Sequence, residues 1–201
     1  MSKIKEFDDV LIVGLGLIGG SIAMKIKEID YSANVYGFEK NLEILKEANK
    51  KGLINNAKEV DLKDCKNLLV IFCVPVLSFK QALNSVKKHL PSQNIIFTDT
   101  LSTKTEIFNT LSQEFSDVLG NFVLSHPIAG SEKNSLYNSK KALFEKKVVV
   151  ISPHEKNNSI FYVNTSKLNN EILKQRLSCI PIYIDDLDMP LNDYLLDVDV
   201  K

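Results

Sequence analysis

Two runs in the sequence combine residue types and spacings that can do chemistry. The first is Gly14-Leu15-Gly16-Leu17-Ile18-Gly19-Gly20-Ser21. It follows the apolar residues 10–13 and opens a helical pattern, the context that lifts a G-x-G-x-x-G spacing above chance. Gly14 permits a tight turn, Gly16 lets the backbone approach a pyrophosphate, and Gly19 lets a helix pack closely on its strand. The free N–H groups where the helix begins, around Leu15, Leu17 and Ile18, then face phosphate oxygens, and the helix dipole favours negative charge there. The second run is Ser125-His126-Pro127-Ile128-Ala129-Gly130. It closes the apolar stretch 121–124, and open α/β sheets place their working residues at such strand ends. A neutral imidazole, with an ordinary pKa of about 6.5, suits the removal of a hydroxyl proton while a hydride leaves the same carbon.

Three further segments bear on these two. Glu39 ends the next strand-like run, at the separation expected of a carboxylate that binds ribose hydroxyls. Such a carboxylate repels a 2′-phosphate and favours NAD over NADP, although Lys40 beside it adds a cation. Cys73-Val74-Pro75 ends the strongest apolar run, and its residues can wall a cofactor. The alternative, a strand simply terminated by Pro, fits that segment equally well. Asp99-Thr100-Leu101-Ser102-Thr103-Lys104 again joins a strand end to a helix. Asp99 or Ser102 can serve there as an N-cap. If Ser102 faces His126, its hydroxyl can instead bond the imidazole and a substrate alcohol, fixing the tautomer a base needs.

The elements that must position these residues alternate regularly. Apolar runs at 10–13, 34–38, 68–74, 94–98, 121–124 and 147–151 read as strands, with a weak third strand at 56–58. Helical patterns cover 21–29, 42–53 with Gly52 as a C-cap, 78–90, and about 103–111. Strand–helix alternation selects an α/β, Rossmann-like doubly wound and mainly parallel sheet with helices on both faces. Residues 1–153 read as one NAD-binding domain. Residues 154–201 read as a short C-terminal segment: a helix over 168–177, an edge strand over 180–184, and an acidic tail. His89, in a cation-loaded last helical turn, reads as a surface or capping residue, and His154 receives no role.

Bulk properties frame this without naming a reaction. The 201 residues are 44% hydrophobic and 25% charged, with 25 basic and 25 acidic side chains. A balanced charge offers no field to recruit nucleic acid or an anionic membrane surface. No apolar run approaches the roughly 18 residues of a membrane span. The three cysteines lack a metal-ligand rhythm and read as free thiols of a cytoplasmic protein, with no metal expected.

The motifs together resemble the nucleotide-binding part of the prephenate and arogenate dehydrogenase family. The resemblance lies in residues 13–21, 35–41, 48–54, 72–76, 99–104, 125–132 and 143–145, in family order. Its most specific pieces are the His-Pro-x-Ala-Gly run and the Asp-x-x-Ser-x-Lys run before it. Position 101 departs from the family, holding Leu where a small residue is usual. The resemblance implies NAD-dependent oxidative decarboxylation of prephenate, or of arogenate, in tyrosine biosynthesis. It implies that His126 polarises or deprotonates the ring hydroxyl and that Ser102 orients it. Family members continue into a helical domain that supplies homodimer contacts and cations for the substrate carboxylates, and the sequence after Pro153 is expected to lack it. Two other readings stand beside this one. The first is a cofactor-binding module without independent catalysis. The second is an NAD-linked oxidoreductase of the β-hydroxyacid or imine-reducing type, against which the Ser125–Gly130 run argues.

Overall fold

The computed structural model describes residues 7–28, 33–56, 61–129, 135–152, 154, 156 and 179–183. Five strands are parallel: β1 (Asp9–Val13), β2 (Asn34–Phe38), β3 (Leu68–Phe72), β4 (Ile95–Asp99) and β5 (Phe122–Pro127). β6 (Lys147–Ser152) turns back antiparallel on β5, and β7 (Cys179–Tyr183) runs parallel to β6. The sheet order is β2-β1-β3-β4-β5-β6-β7. From β1 the chain steps out to β2, then returns past β1 to β3. That reversal is a topological switch point, and it opens a crevice beyond the carboxyl ends of β1 and β3.

Burial explains which runs became strands. Every residue of β1 is buried, as a continuous apolar run in a doubly covered parallel sheet requires. On one face α3 (Phe79–Lys87), α4 (Lys104–Glu114) and α5 (Ser116–Leu119) cover Leu11, Val70, Phe97 and Phe122. Phe72, Phe79, Phe97 and Phe122 pack there, Phe122 stacked on Phe72 and Phe97 and Phe79 edge-on to Phe72 and Phe122, with ring centroids 5.1–5.9 Å apart. Truncating any one of them to Ala should cost about 3–5 kcal/mol. On the other face α1 (Leu17–Glu28) and α2 (Leu42–Lys50) cover Val10, Ile12 and Val35. Asn41 caps α2 through bonds from the Glu43 and Ile44 N–H groups, and Gly52 follows it at φ +67°. No helix among the described residues is long and apolar enough to cross a membrane.

Several boundaries differ from the sequence reading. α1 starts at Leu17, four residues early, because the glycine loop itself enters the helix. α4 runs on to Glu114. β5 extends through His126, because β6 supplies a partner there: His126 lies opposite Val150. The expected third strand covered 56–58. Asn56 is not in a strand, but its amide bonds both backbone groups of Gly37 at the edge of β2, at 2.8 and 2.9 Å. Residues 57 and 58, the expected helix over 168–177 and the acidic tail lie outside the described residues. Neither Asp99 nor Ser102 caps α4; the cap position is Thr103, without a side-chain bond. Leu101, the departure from the family pattern, is buried in the core that α3, α4 and α5 cover.

Candidate active site

The crevice beyond β1 and β3 is a cleft of about 800 Å³. Gly14, Gly16, Leu17 and Ile18 form its floor, Glu39 and Lys40 one wall, and Cys73, Val74 and Pro75 the opposite wall. Leu15 and Gly19, also singled out in the sequence, do not line it; both are buried beneath the loop. Thr100, just beyond β4, also lines the cleft, whereas His126 and Ser102 do not.

The glycines divide by what surrounds them. At Gly14, φ is +93°, and an added Cβ would lie 2.7 Å from the Cys73 carbonyl oxygen. At Gly19 it would lie 2.0 Å from the Gly14 carbonyl oxygen. Both are required by the chain's own backbone, one for the turn and one for close helix–strand packing. At Gly16 an added Cβ would meet nothing within 4 Å. The protein's packing does not call for glycine at Gly16, which borders the cleft.

Glu39 is held in place. Its Oε2 accepts the Leu15 N–H at 2.9 Å and its Oε1 accepts the Asn41 N–H at 3.0 Å, which ties the end of β2 to the glycine loop. Lys40 Nζ reaches across to Gln81 Oε1 on α3 at 2.7 Å. Cys73 shares the wall opposite Glu39, and burial pushes its thiol up to about 12.

His126 is half-buried. Its Nδ1 lies 3.1 Å from the Thr100 carbonyl oxygen. A carbonyl can only accept, so Nδ1 donates, and in the neutral ring Nε2 then carries the lone pair. The Thr100 carbonyl, rather than the Ser102 hydroxyl, holds this tautomer. Ser102 is exposed and makes no hydrogen bond among the described residues. Thr100 is itself anchored, its N–H and hydroxyl both bonding the Phe72 carbonyl at the end of β3, at 2.9 and 3.2 Å.

Beneath this lies a buried ion pair; the sequence reading offered Asp99 only as an N-cap and gave Lys104 no role. Asp99 is fully buried, and its Oδ2 accepts from Lys104 Nζ and from the Leu101 N–H. Burial pushes the Asp99 carboxyl up and the Lys104 ammonium down from their ordinary values, while each charge opposes the other's shift. Thr100, Asp99 and Lys104 all stand in the run already noted. The signal available was a carboxylate and a lysine five residues apart across a strand end. The other histidines are structural: His89 packs 6.3 Å from Phe38, and His154 bonds the Phe122 carbonyl at 3.0 Å against Phe108.

The sequence and the fold resemble those of known proteins. The model of the family described as "Prephenate dehydrogenase, nucleotide-binding domain" matches residues 22–169. The match begins after the glycine loop. A prephenate dehydrogenase of Lactococcus lactis is 32% identical over 143 residues, covering 71% of this chain and 40% of that protein. One from Bacillus subtilis is 31% identical over 150 residues, covering 74% and 40%. A crystal structure of prephenate dehydrogenase from Aquifex aeolicus, in complex with hydroxyphenyl propionate and NAD+, superposes with a TM-score of 0.75 at 25% identity. It covers 90% of this chain and 61% of that one. The chain thus spans 40% of the length of these two curated relatives. Within that span, it belongs to the family of prephenate dehydrogenase nucleotide-binding domains.

Proposed function

We propose that this chain is the dinucleotide-binding and proton-accepting part of an NAD-dependent prephenate dehydrogenase, with residues 1–153 as the binding domain. The observation that carries the reading is the contact of His126 Nδ1 with the Thr100 carbonyl at 3.1 Å, which leaves Nε2 available at the end of β5 beside a residue that lines the switch-point cleft. Gly14, Gly16, Leu17 and Ile18 would carry the pyrophosphate, and Gly16 supports this because its open side faces the cleft. Glu39 would take the adenine ribose hydroxyls on the lone pairs left free by Leu15 and Asn41. The Aquifex aeolicus relative, crystallised with NAD+ and a hydroxyphenyl acid, supports the same pairing of cofactor and ring.

When bound, the nicotinamide supplies a hydride acceptor for the ring carbon that bears the hydroxyl. His126 Nε2 takes the hydroxyl proton, and Ser102 orients that hydroxyl. The ring carboxylate then leaves as carbon dioxide, the electron pair of the broken C–C bond aromatises the ring onto the former carbonyl oxygen, and that phenolate oxygen takes a proton back. Aromatisation drives the reaction, so the protein's work is alignment and removal of one proton. The remaining carboxylate contacts and the homodimer typical of the family would come from outside the described residues, in a cytoplasmic enzyme.

The test uses the purified chain with NAD and prephenate, following NADH absorbance. Turnover that His126→Asn abolishes supports the reading. The competing reading is a binding module without its own catalysis. NAD binding with no turnover of prephenate or arogenate would decide for that module.

A further inference from the structure

We propose that the buried Asp99–Lys104 pair is a positioning device that sets the orientation and tautomer of His126; its catalytic meaning rests on the proposed role of His126. The argument starts where the sheet stops. The ladder between β4 and β5 pairs Phe97 with Phe122 and Thr98 with Val123, and no further. In a continued parallel ladder the next rung would run from the Ser125 N–H to the Asp99 carbonyl. That rung is replaced. The Ser125 N–H donates to Asp99 Oδ1 at 3.1 Å, and the Ser125 hydroxyl takes the Asp99 carbonyl at 2.5 Å. Lys104 Nζ donates to the Ser125 carbonyl at 2.6 Å while paired with the same carboxylate. One carboxylate and one ammonium therefore satisfy both polar ends of Ser125.

The Ser125 carbonyl belongs to the peptide that joins Ser125 to His126. Fixing it fixes the direction in which the imidazole leaves the strand. The ring then meets the Thr100 carbonyl, one residue beyond Asp99, on a backbone that the Leu101 N–H bond to Asp99 Oδ2 also constrains. One carboxylate thus controls both the segment that carries His126 and the segment that holds its Nδ1. A pair of apolar side chains would join β4, α4 and β5 equally well without the cost of burying charge. It would leave the Ser125 N–H and carbonyl unsatisfied exactly where the ladder ends. That requirement explains why charge is buried here.

The experiment is nitrogen NMR of the histidine rings in the full chain, without cofactor or substrate. In the wild type His126 should show the Nδ1–H tautomer; an Nε2–H tautomer would overturn the proposal outright. In Lys104→Met the ring nitrogens should move towards a tautomer mixture. The lost bond is the one from Lys104 to the Ser125 carbonyl, so the segment loosens by about one hydrogen bond of ordinary strength, and the Ser125 amide, still bonded to Asp99 Oδ1, should exchange about tenfold faster, while Val35 in β2 stays unchanged. Asp99→Asn/Lys104→Met removes the stranded charge should the single variant not fold, and the same shift is expected. Lys104→Arg, which keeps a donor and the charge, should restore the wild-type pattern. Folded variants with unchanged ring nitrogens and unchanged Ser125 exchange reject the proposal. Because NAD and prephenate are absent, a chain that shows these shifts yet fails to bind NAD rejects only the functional reading.

Discussion

Between β1 and β3 the chain makes room for a ligand by leaving side chains out, whereas between β4 and β5 it holds one imidazole by burying charge. The first region rests on Gly14, Gly16 and Gly19, with one carboxylate tethering the loop from outside. The second rests on Asp99 and Lys104, with a backbone carbonyl as the final contact. On the proposed function, the difference follows from what each must hold. A diphosphate is bound by backbone N–H groups, so the backbone must come close. A proton acceptor must hold one tautomer in one direction, which takes directional bonds in a dry setting.

Loss of one partner should expose the contrast most strongly in the second region. Lys104→Met leaves the Asp99 carboxylate buried without its cation, and should cost about 3–5 kcal/mol of folding stability. Denaturant unfolding checks this. A cost below about 1 kcal/mol, the range of exposed pairs, would mean that the pair is not the buried clamp described.

The glycine loop should respond to substitution according to which atoms surround each residue. Gly19→Ala presses a methyl onto the Gly14 carbonyl and should cost about 1–3 kcal/mol. Gly16→Ala meets no protein atom, so stability should stay within about 0.5 kcal/mol. Its dinucleotide affinity should still fall about tenfold or more. Thermal melting and NAD titration separate the two. Wild-type NAD affinity in Gly16→Ala would sink the assignment of this cleft to the pyrophosphate.

At the cleft's other end, Glu39→Ala should lower NAD affinity about tenfold and NADP affinity less if, as proposed, the carboxylate both bonds ribose and repels phosphate. Equal loss for both cofactors would instead point to the carboxylate's structural duty, the bonds to the Leu15 and Asn41 N–H groups.

Legibility followed the same division. The glycine loop could be read because turn, approach and packing constraints fall within six consecutive residues, and Glu39 because it ends the next strand. His126 stood out by its place before Pro127. What could not be read was the wiring around it. The Thr100 carbonyl carries no side-chain signature, and Ser102 offered a hydroxyl that composition makes visible. The Asp99–Lys104 pair becomes meaningful only once β4 and β5 are known to part after Thr98 and Val123. The antiparallel return of β6 was hidden too, since an apolar strand carries no mark of direction; it is what carries β5 on through His126.

The smallest effect separates the cleft from the rest of the chain without any substitution. Cys73 walls the cleft, while Cys65 lies outside it, before β3. Burial pushes both thiols up to about 12 from an ordinary value near 9. At pH 8 each is therefore almost wholly protonated, with a thiolate fraction about a thousandfold below that of an unfolded cysteine. Alkylation mapped residue by residue should thus be slow at both in the native chain and fast in denaturant. The sign for stability follows: a folded value above the unfolded one contributes stability that is complete below about pH 9 and is lost as pH rises towards about 12. Unfolding midpoints should accordingly be insensitive to these thiols at neutral pH and fall in the alkaline range. Adding NAD distinguishes the two sites. Shielding of Cys73 with no change at Cys65 places the dinucleotide against the β3 wall, whereas equal protection of both would mean that the chain tightened as a whole and the cleft was not the place of binding.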